Sequence, residues 1–163
     1  MNKNGIKYGL GVLFTALLVW LDQWTKQLAV EHLKSGPFVI WEGVFELRYS
    51  INKGAAFGIL QNQRIFFIIS TCLVLAAIVY CYHKIPATKK NLPLLVLCVA
   101  ITAGALGNFI DRLYLEYVID FLYFKLINFP IFNVADCFIT CGCFLLIAHM
   151  IFLNKEFWKE EKK

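Results

Sequence analysis

The stretch NLPLLVLCVAITAGALGNFI, residues 91–110, carries no charged side chain and is followed at once by Asp111-Arg112. A helix needs about 20 predominantly apolar residues to cross the hydrocarbon core of a bilayer. The stretch therefore reads as a membrane span. Working outward, three more uncharged runs appear. One begins at Tyr8 and continues past Asp22, one covers Ile65 to Tyr82, and one starts at Cys137 and reaches Asn154. The expected fold is an α-helical integral membrane protein, a single membrane domain over residues 1–163. Its four transmembrane helices cover about 8–28, 65–82, 91–110 and 135–154.

Composition agrees. Sixty per cent of the residues are apolar and 17% are charged, against roughly half and a quarter in soluble domains. Mean hydropathy is +0.64. Disorder, fibrous proteins and coiled coils are excluded. The net charge of +5 is scattered between apolar runs, not gathered on one face, which argues against nucleic acid. The six cysteines fall inside or beside apolar runs and lack zinc-site spacing, so they read as buried free thiols. The first span follows Lys3 and Lys7 but has no small-residue cleavage site behind it. It reads as a retained helix, not a signal peptide.

Four spans put both termini on one side. That side carries nine basic residues against three acidic ones, the other seven against eight. The positive-inside rule then places the termini in the cytoplasm and the segments at about 30–64 and 111–134 outside. In the first outer segment Phe45, Leu47, Tyr49 and Ile51 alternate with Glu46, Arg48, Ser50 and Asn52. That period of two predicts a half-buried strand. Glu42-Gly43 supplies a turn to a partner strand at 38–41, giving a small amphipathic β-sheet at the outer surface. Gly54 to Gly58 permits close backbone approach by a ligand. The second outer segment, rich in Phe, Tyr and Leu, is expected to lie in the membrane interface.

Charged side chains are costly inside a bilayer, so their placement is informative. Asp22, Lys26, Asn52, Asn108, Asp111, Arg112, Asp120, Asn133 and Asp136 come from every part of the chain. In this topology all share one membrane depth. Some have ordinary structural readings. Asp22 and Lys26 stand at i,i+4 and suit a helix-face ion pair. Asp111-Arg112 can end a helix at the water interface. Asn133 and Asp136 suit the N-cap and third position of a helix. Asp120, in Tyr-Val-Ile-Asp-Phe-Leu-Tyr-Phe, is harder to explain so. An acid in such surroundings has a raised pKa unless paired. If Asp120 and Asp136 meet, repulsion keeps one proton between them, and the pair can activate water without a metal.

Gly-x-Ser-x-Gly and His-Glu-x-x-His are absent from the sequence. His83 and His149 fall toward the cytoplasmic side, leaving His32 alone near the polar residues. A proton-coupled transporter and a non-catalytic lipid-binding or assembly protein remain as alternatives. The first would need polar residues continuing into the inner halves of the spans, which hold few beyond His149.

Five ordered patches, spread over nearly the whole chain, resemble the bacterial lipoprotein signal peptidases, or signal peptidase II. They are Asp22-Gln-Trp-Thr-Lys26, Asn52-Lys-Gly-Ala-Ala-Phe-Gly58, Gly104-Ala-Leu-Gly-Asn108-Phe-Ile-Asp111-Arg112, Val118-Ile-Asp120-Phe121 and Phe132-Asn133-Val-Ala-Asp136. Ala103 stands where that family often has a second glycine. The resemblance implies an aspartic endopeptidase of the bacterial cytoplasmic membrane. It would cut diacylglyceryl-modified prolipoproteins just before the lipidated cysteine, at the extracytoplasmic face. Asp120 and Asp136 would be the catalytic pair. Asn52, Gly54, Asn108, Arg112 and Asn133 would bind substrate or support the outer segments, and Asp22, Lys26 and Asp111 would support from behind. No cofactor or metal is expected. The partners implied are lipid-modified prolipoproteins and membrane lipid, not nucleic acid, with a monomer as the default.

Overall fold

The computed structural model describes residues 3–54 and 59–153. Four helices are long and apolar enough to span a membrane. They are α1 (Lys3–His32), α2 (Arg64–Lys84), α3 (Leu92–Tyr114) and α4 (Val134–Ala148), the last continuing as a π-helical turn, His149–Leu153. All four expected spans are present. α1 runs past both ends of its expected span, because the charged residues at its ends lie within the helix. Ala55 to Gly58 of the small-residue patch lie outside the described residues, as do Lys155, Lys159, Lys162, Lys163, Glu156, Glu160 and Glu161 of the expected inner side.

The surface pattern is that of a protein solvated by hydrocarbon. α2 has no buried residue, although it is the most apolar span. α3 is the central helix and packs on α1, α2 and α4. It can do so because small residues line it: Ala103, Gly104, Ala105 and Gly107 are all buried. A Cβ on Gly104 would strike the Ala135 carbonyl, and one on Gly107 would strike the Asp22 carboxylate. Small residues at helix contacts permit close packing where the hydrophobic effect cannot drive association.

Three strands form an antiparallel sheet in the order β1 (Phe38–Trp41), β2 (Phe45–Asn52), β3 (Val118–Phe124). Gly43 turns β1 into β2 at φ +72°. The β1–β2 hairpin matches the expectation from sequence. β3 extends it: the second outer segment contributes a third strand to the sheet, pairing Ser50 with Asp120 and Asn52 with Val118. The reason it carries no period of two is that Val118 to Phe121 are all buried, so both faces are covered. Phe121 packs with Ala29 of α1 and with Leu33 just past its end, beneath the sheet. The apolar face of β2 is also not simply the inner one. Glu46 is buried against Arg48 and Lys125, whereas Ile51 is exposed. The cysteines are free, but only Cys98 is buried; Cys72, Cys81 and Cys141 face outward from the spans.

Gly107→Ala is expected to lower the melting temperature in detergent, at a cost of about 1–3 kcal/mol for overpacking. Gly9→Ala, where an added Cβ meets nothing within 4 Å, should leave it unchanged. Equal melting of the two variants would show that the α1–α3 contact is looser than the geometry requires.

Candidate active site

The polar residues singled out from sequence converge at one end of the bundle, from α1, α3, α4 and two strands. The lowest layer is built on Lys26. Its ammonium group lies 2.9 Å from Asp22 Oδ2 and 3.0 Å from Asp111 Oδ2, and donates to Asn108 Oδ1 at 3.0 Å. Lys26 and Asp111 are each 2% exposed and Asp22 is fully buried. Charges so buried are tolerated only when paired and hydrogen-bonded. The second bonds of both acids are to backbone. Asp22 Oδ1 accepts from Ala135 N at 2.8 Å, and Asp111 Oδ2 from Ile119 N at 3.1 Å.

The next layer holds two further carboxyls. Asn133 is the N-cap of α4, accepting from Asp136 N while the Asp136 side chain accepts from Asn133 N, a reciprocal capping box. The Asn133 amide donates to Asp120 Oδ1 at 2.7 Å and reaches Asn108 Oδ1 at 3.1 Å. The Asn108 amide donates to Asp136 Oδ1 at 2.7 Å. Asn52 donates to Asp120 Oδ2 at 3.0 Å and its own Oδ1 accepts from Gly54 N. Arg112 donates to Gly54 O and to Asn108 O, with its guanidinium over the Phe67 ring. All ten residues singled out are thus brought together.

Asp120 and Asp136 both open onto one cavity of about 390 Å³. One wall is apolar, Phe129 to Phe132. The other is the α4 face bearing Cys137, Thr140 and Cys141. Burial pushes the Asp120 carboxyl up to about 7, and the nearby Asp136 charge pushes the same way. Donation from Asn52 and Asn133, and the Lys26 charge, oppose this without cancelling it. A carboxyl with that affinity exchanges its proton near neutrality, as an acid–base group must. Among the described residues no three His, Cys, Asp or Glu side chains converge as a metal-ligand set.

Two contributors were not evident from sequence. Gln23 donates to Asp111 Oδ1 at 2.9 Å and lies 3.2 Å from both Asp22 Oδ2 and Gly107 O. Its only signal is an amide beside Asp22 within an apolar run. Arg64, at the start of α2, donates to the carbonyls of Arg112 and Leu113 and pairs with Glu116. Nothing in sequence links it to residues some fifty positions away.

Comparison with known proteins places the chain in context. The signal peptidase (SPase) II family model matches residues 14–152. The lipoprotein signal peptidase of Streptococcus thermophilus (strain CNRZ 1066) is 42% identical over 145 residues, covering 88% of this chain and 89% of that protein. That of Streptococcus pyogenes serotype M5 (strain Manfredo) is 42% identical over 161 residues, covering 96% and 97%. A solved structure described as a bacterial membrane enzyme, obtained by the in meso method at 2.3 Å, superposes with a TM-score of 0.81. It is 34% identical and 91% of each chain is covered.

Lys26→Met is expected to destabilise the fold by about 3–5 kcal/mol, because it leaves two buried acids without their cation. Reversible unfolding in detergent measures this. An unchanged midpoint would mean that Asp22 and Asp111 find other partners or become protonated at little cost.

Proposed function

The chain belongs to the signal peptidase II family, a family of peptidases, and from that premise we propose that it removes signal peptides from diacylglyceryl-modified prolipoproteins, cutting just before the lipidated cysteine with Asp120 and Asp136 as its catalytic pair. The observation that carries the catalytic reading is the meeting of these two carboxyls on one cavity. Each is oriented by a carboxamide, Asn133 for Asp120 and Asn108 for Asp136.

In this reading a water molecule lies between the pair. Asp136, in the first turn of α4, takes a proton from the water as its oxygen attacks the scissile carbonyl carbon. Asp120, neutral at the outset, donates its proton to the carbonyl oxygen. The proton taken by Asp136 then passes to the departing amide nitrogen, the carbon–nitrogen bond breaks, and the diol's proton returns to Asp120. The result is one new carboxyl and one new amine. The apolar walls suit a substrate whose signal helix and acyl chains both live in the bilayer. Asn52, Gly54 and Arg112 would fix the substrate backbone, with Asp22, Lys26 and Asp111 supporting from behind. The whole chain acts as a single membrane domain and a monomer. The site faces the extracytoplasmic side of the bacterial cytoplasmic membrane, with both termini inside.

The test is cleavage of a diacylglyceryl-modified prolipoprotein in detergent or lipid, read by gel shift. Asp120→Asn and Asp136→Asn are each expected to be folded and inactive. Robust cleavage by either folded variant would remove that residue from catalysis. The pH dependence follows from Asp120. The carboxyl is neutral below about 7 and charged above it, and the attack needs it neutral. Activity should therefore fall about tenfold per pH unit once the pH has risen through that value, and on the acid side it should hold only while Asp136 stays ionised. A flat profile from pH 6 to 9 would contradict the assignment of Asp120 as proton donor.

A further inference from the structure

At the end of the bundle away from Asp120 and Asp136, α1, α2 and α3 enclose an apolar cleft of about 600 Å³. Phe14 and Leu18 of α1 face Val96 and Val99 of α3 across it. From Lys7 to Leu18 the cleft follows α1 for about 16 Å at 1.5 Å per residue. That matches the half-thickness of a bilayer's hydrocarbon core, about 15 Å. Tyr82 closes the α2 side, donating from its hydroxyl to Lys7 O at 2.8 Å over Gly11, where a Cβ would come within 2.5 Å of the Tyr82 hydroxyl oxygen.

The rim is basic. Lys7, only 7% exposed, donates to the carbonyls of Tyr82 at 2.9 Å, His83 at 3.3 Å and Ile85 at 3.0 Å. These carbonyls end α2, and their partial charge offsets the ammonium only in part. Among the described residues neither Lys7 nor Lys89 forms an ion pair, and every described carboxylate belongs to the opposite end of the spans or to the segments beyond it. Lys89 and Thr88 stand at the same mouth. The Thr88 Oγ1 accepts from Asn91 N, which leaves its proton free to donate.

We propose that this cleft binds one anionic phospholipid, with an acyl chain between α1 and α3 and the phosphodiester at Lys89 and Thr88, within the field of Lys7. Length and apolarity select an acyl chain, and the basic rim, which no described carboxylate neutralises, selects an anionic headgroup over a zwitterionic one. The proposal is independent of the peptidase reading, since it concerns the other leaflet and its readout is lipid retention, not cleavage.

Native mass spectrometry of the full chain in detergent tests it, using phosphatidylglycerol and phosphatidylcholine of identical acyl chains. The wild type is expected to retain phosphatidylglycerol at least about fivefold more tightly, the preference one lysine confers near a membrane surface. Lys89→Gln should lower phosphatidylglycerol retention about fivefold and leave phosphatidylcholine unchanged. Val96→Trp, at an exposed position on the cleft wall, should fill the space and reduce retention of both lipids while the melting temperature holds. Equal retention of the two lipids by the wild type would overturn the proposal. So would a phosphatidylglycerol preference that survives both substitutions in folded protein.

Discussion

A single ammonium group, that of Lys26, sets the geometry of the polar end of this bundle. It is bonded within 3.0 Å to oxygens of Asp22, Asp111 and Asn108. A charge 2% exposed has no water to fall back on, so its partners cannot drift without leaving it unsatisfied. Each of the three acceptors carries the constraint onward. Asp22 fixes Ala135 N, Asp111 fixes Ile119 N, and Asn108 holds the Asp136 carboxylate. Ala135 and Ile119 are the residues immediately before Asp136 and Asp120. The phase of α4 and the position of β3 are thus both referred to one cation on α1.

The same bonds serve folding and site together. The first turn of a helix leaves backbone N–H groups without partners. In α4 two of these are taken by side chains, Ala135 N by Asp22 and Asp136 N by Asn133. Asn133, having capped the helix with its oxygen, spends its amide on Asp120, Asn108 and the Ile119 carbonyl. This explains why the small residues of α3 matter to the site as well as to packing. Gly107 lets the Asp22 carboxylate in, and Gly104 lets the Ala135 carbonyl approach.

Much of this was legible in the chain because the bilayer simplifies the code. Uncharged runs of about 20 residues can only be spans, and every polar residue left at their ends stands out against an apolar background. The Asp22–Lys26 spacing and the Asn133–Asp136 capping pattern are local, and both formed as their spacing implied. Each of the five patches that resemble signal peptidase II supplies a described residue to these contacts: Lys26, Asn52, Asn108, Asp120 and Asn133. What was not legible depended on long-range contact. β3 gave no alternating pattern because Val118 to Phe121 are covered on both faces. Glu46 pointed inward against its strand's polarity because Arg48 and Lys125 accompany it. Gln23 and Arg64 act on residues 48 to 88 positions away, and no spacing rule reaches that far. The cysteines were misread for a related reason, since in hydrocarbon an apolar residue need not be buried by protein.

A buried cation between two acids is not an economical way to stabilise a fold. Replacing such a triad with well-packed apolar side chains is often neutral or stabilising by about 1–4 kcal/mol. An apolar layer between α1, α3 and α4 would hold the helices together equally well, but it would not choose among rotations and slides of a fraction of a turn, because dispersion contacts are tolerant of direction. Hydrogen bonds to Ala135 N and Ile119 N are not, since both distance and angle decide their strength. A slide of α4 by one residue would break the Asp22 bond, draw the Asn133 amide away from Asp120 and carry the Asp136 carboxylate away from Asn108 in a single step. The Lys26 layer therefore contributes less to holding the bundle shut than to admitting only the arrangement in which Asp120 and Asp136 share a cavity.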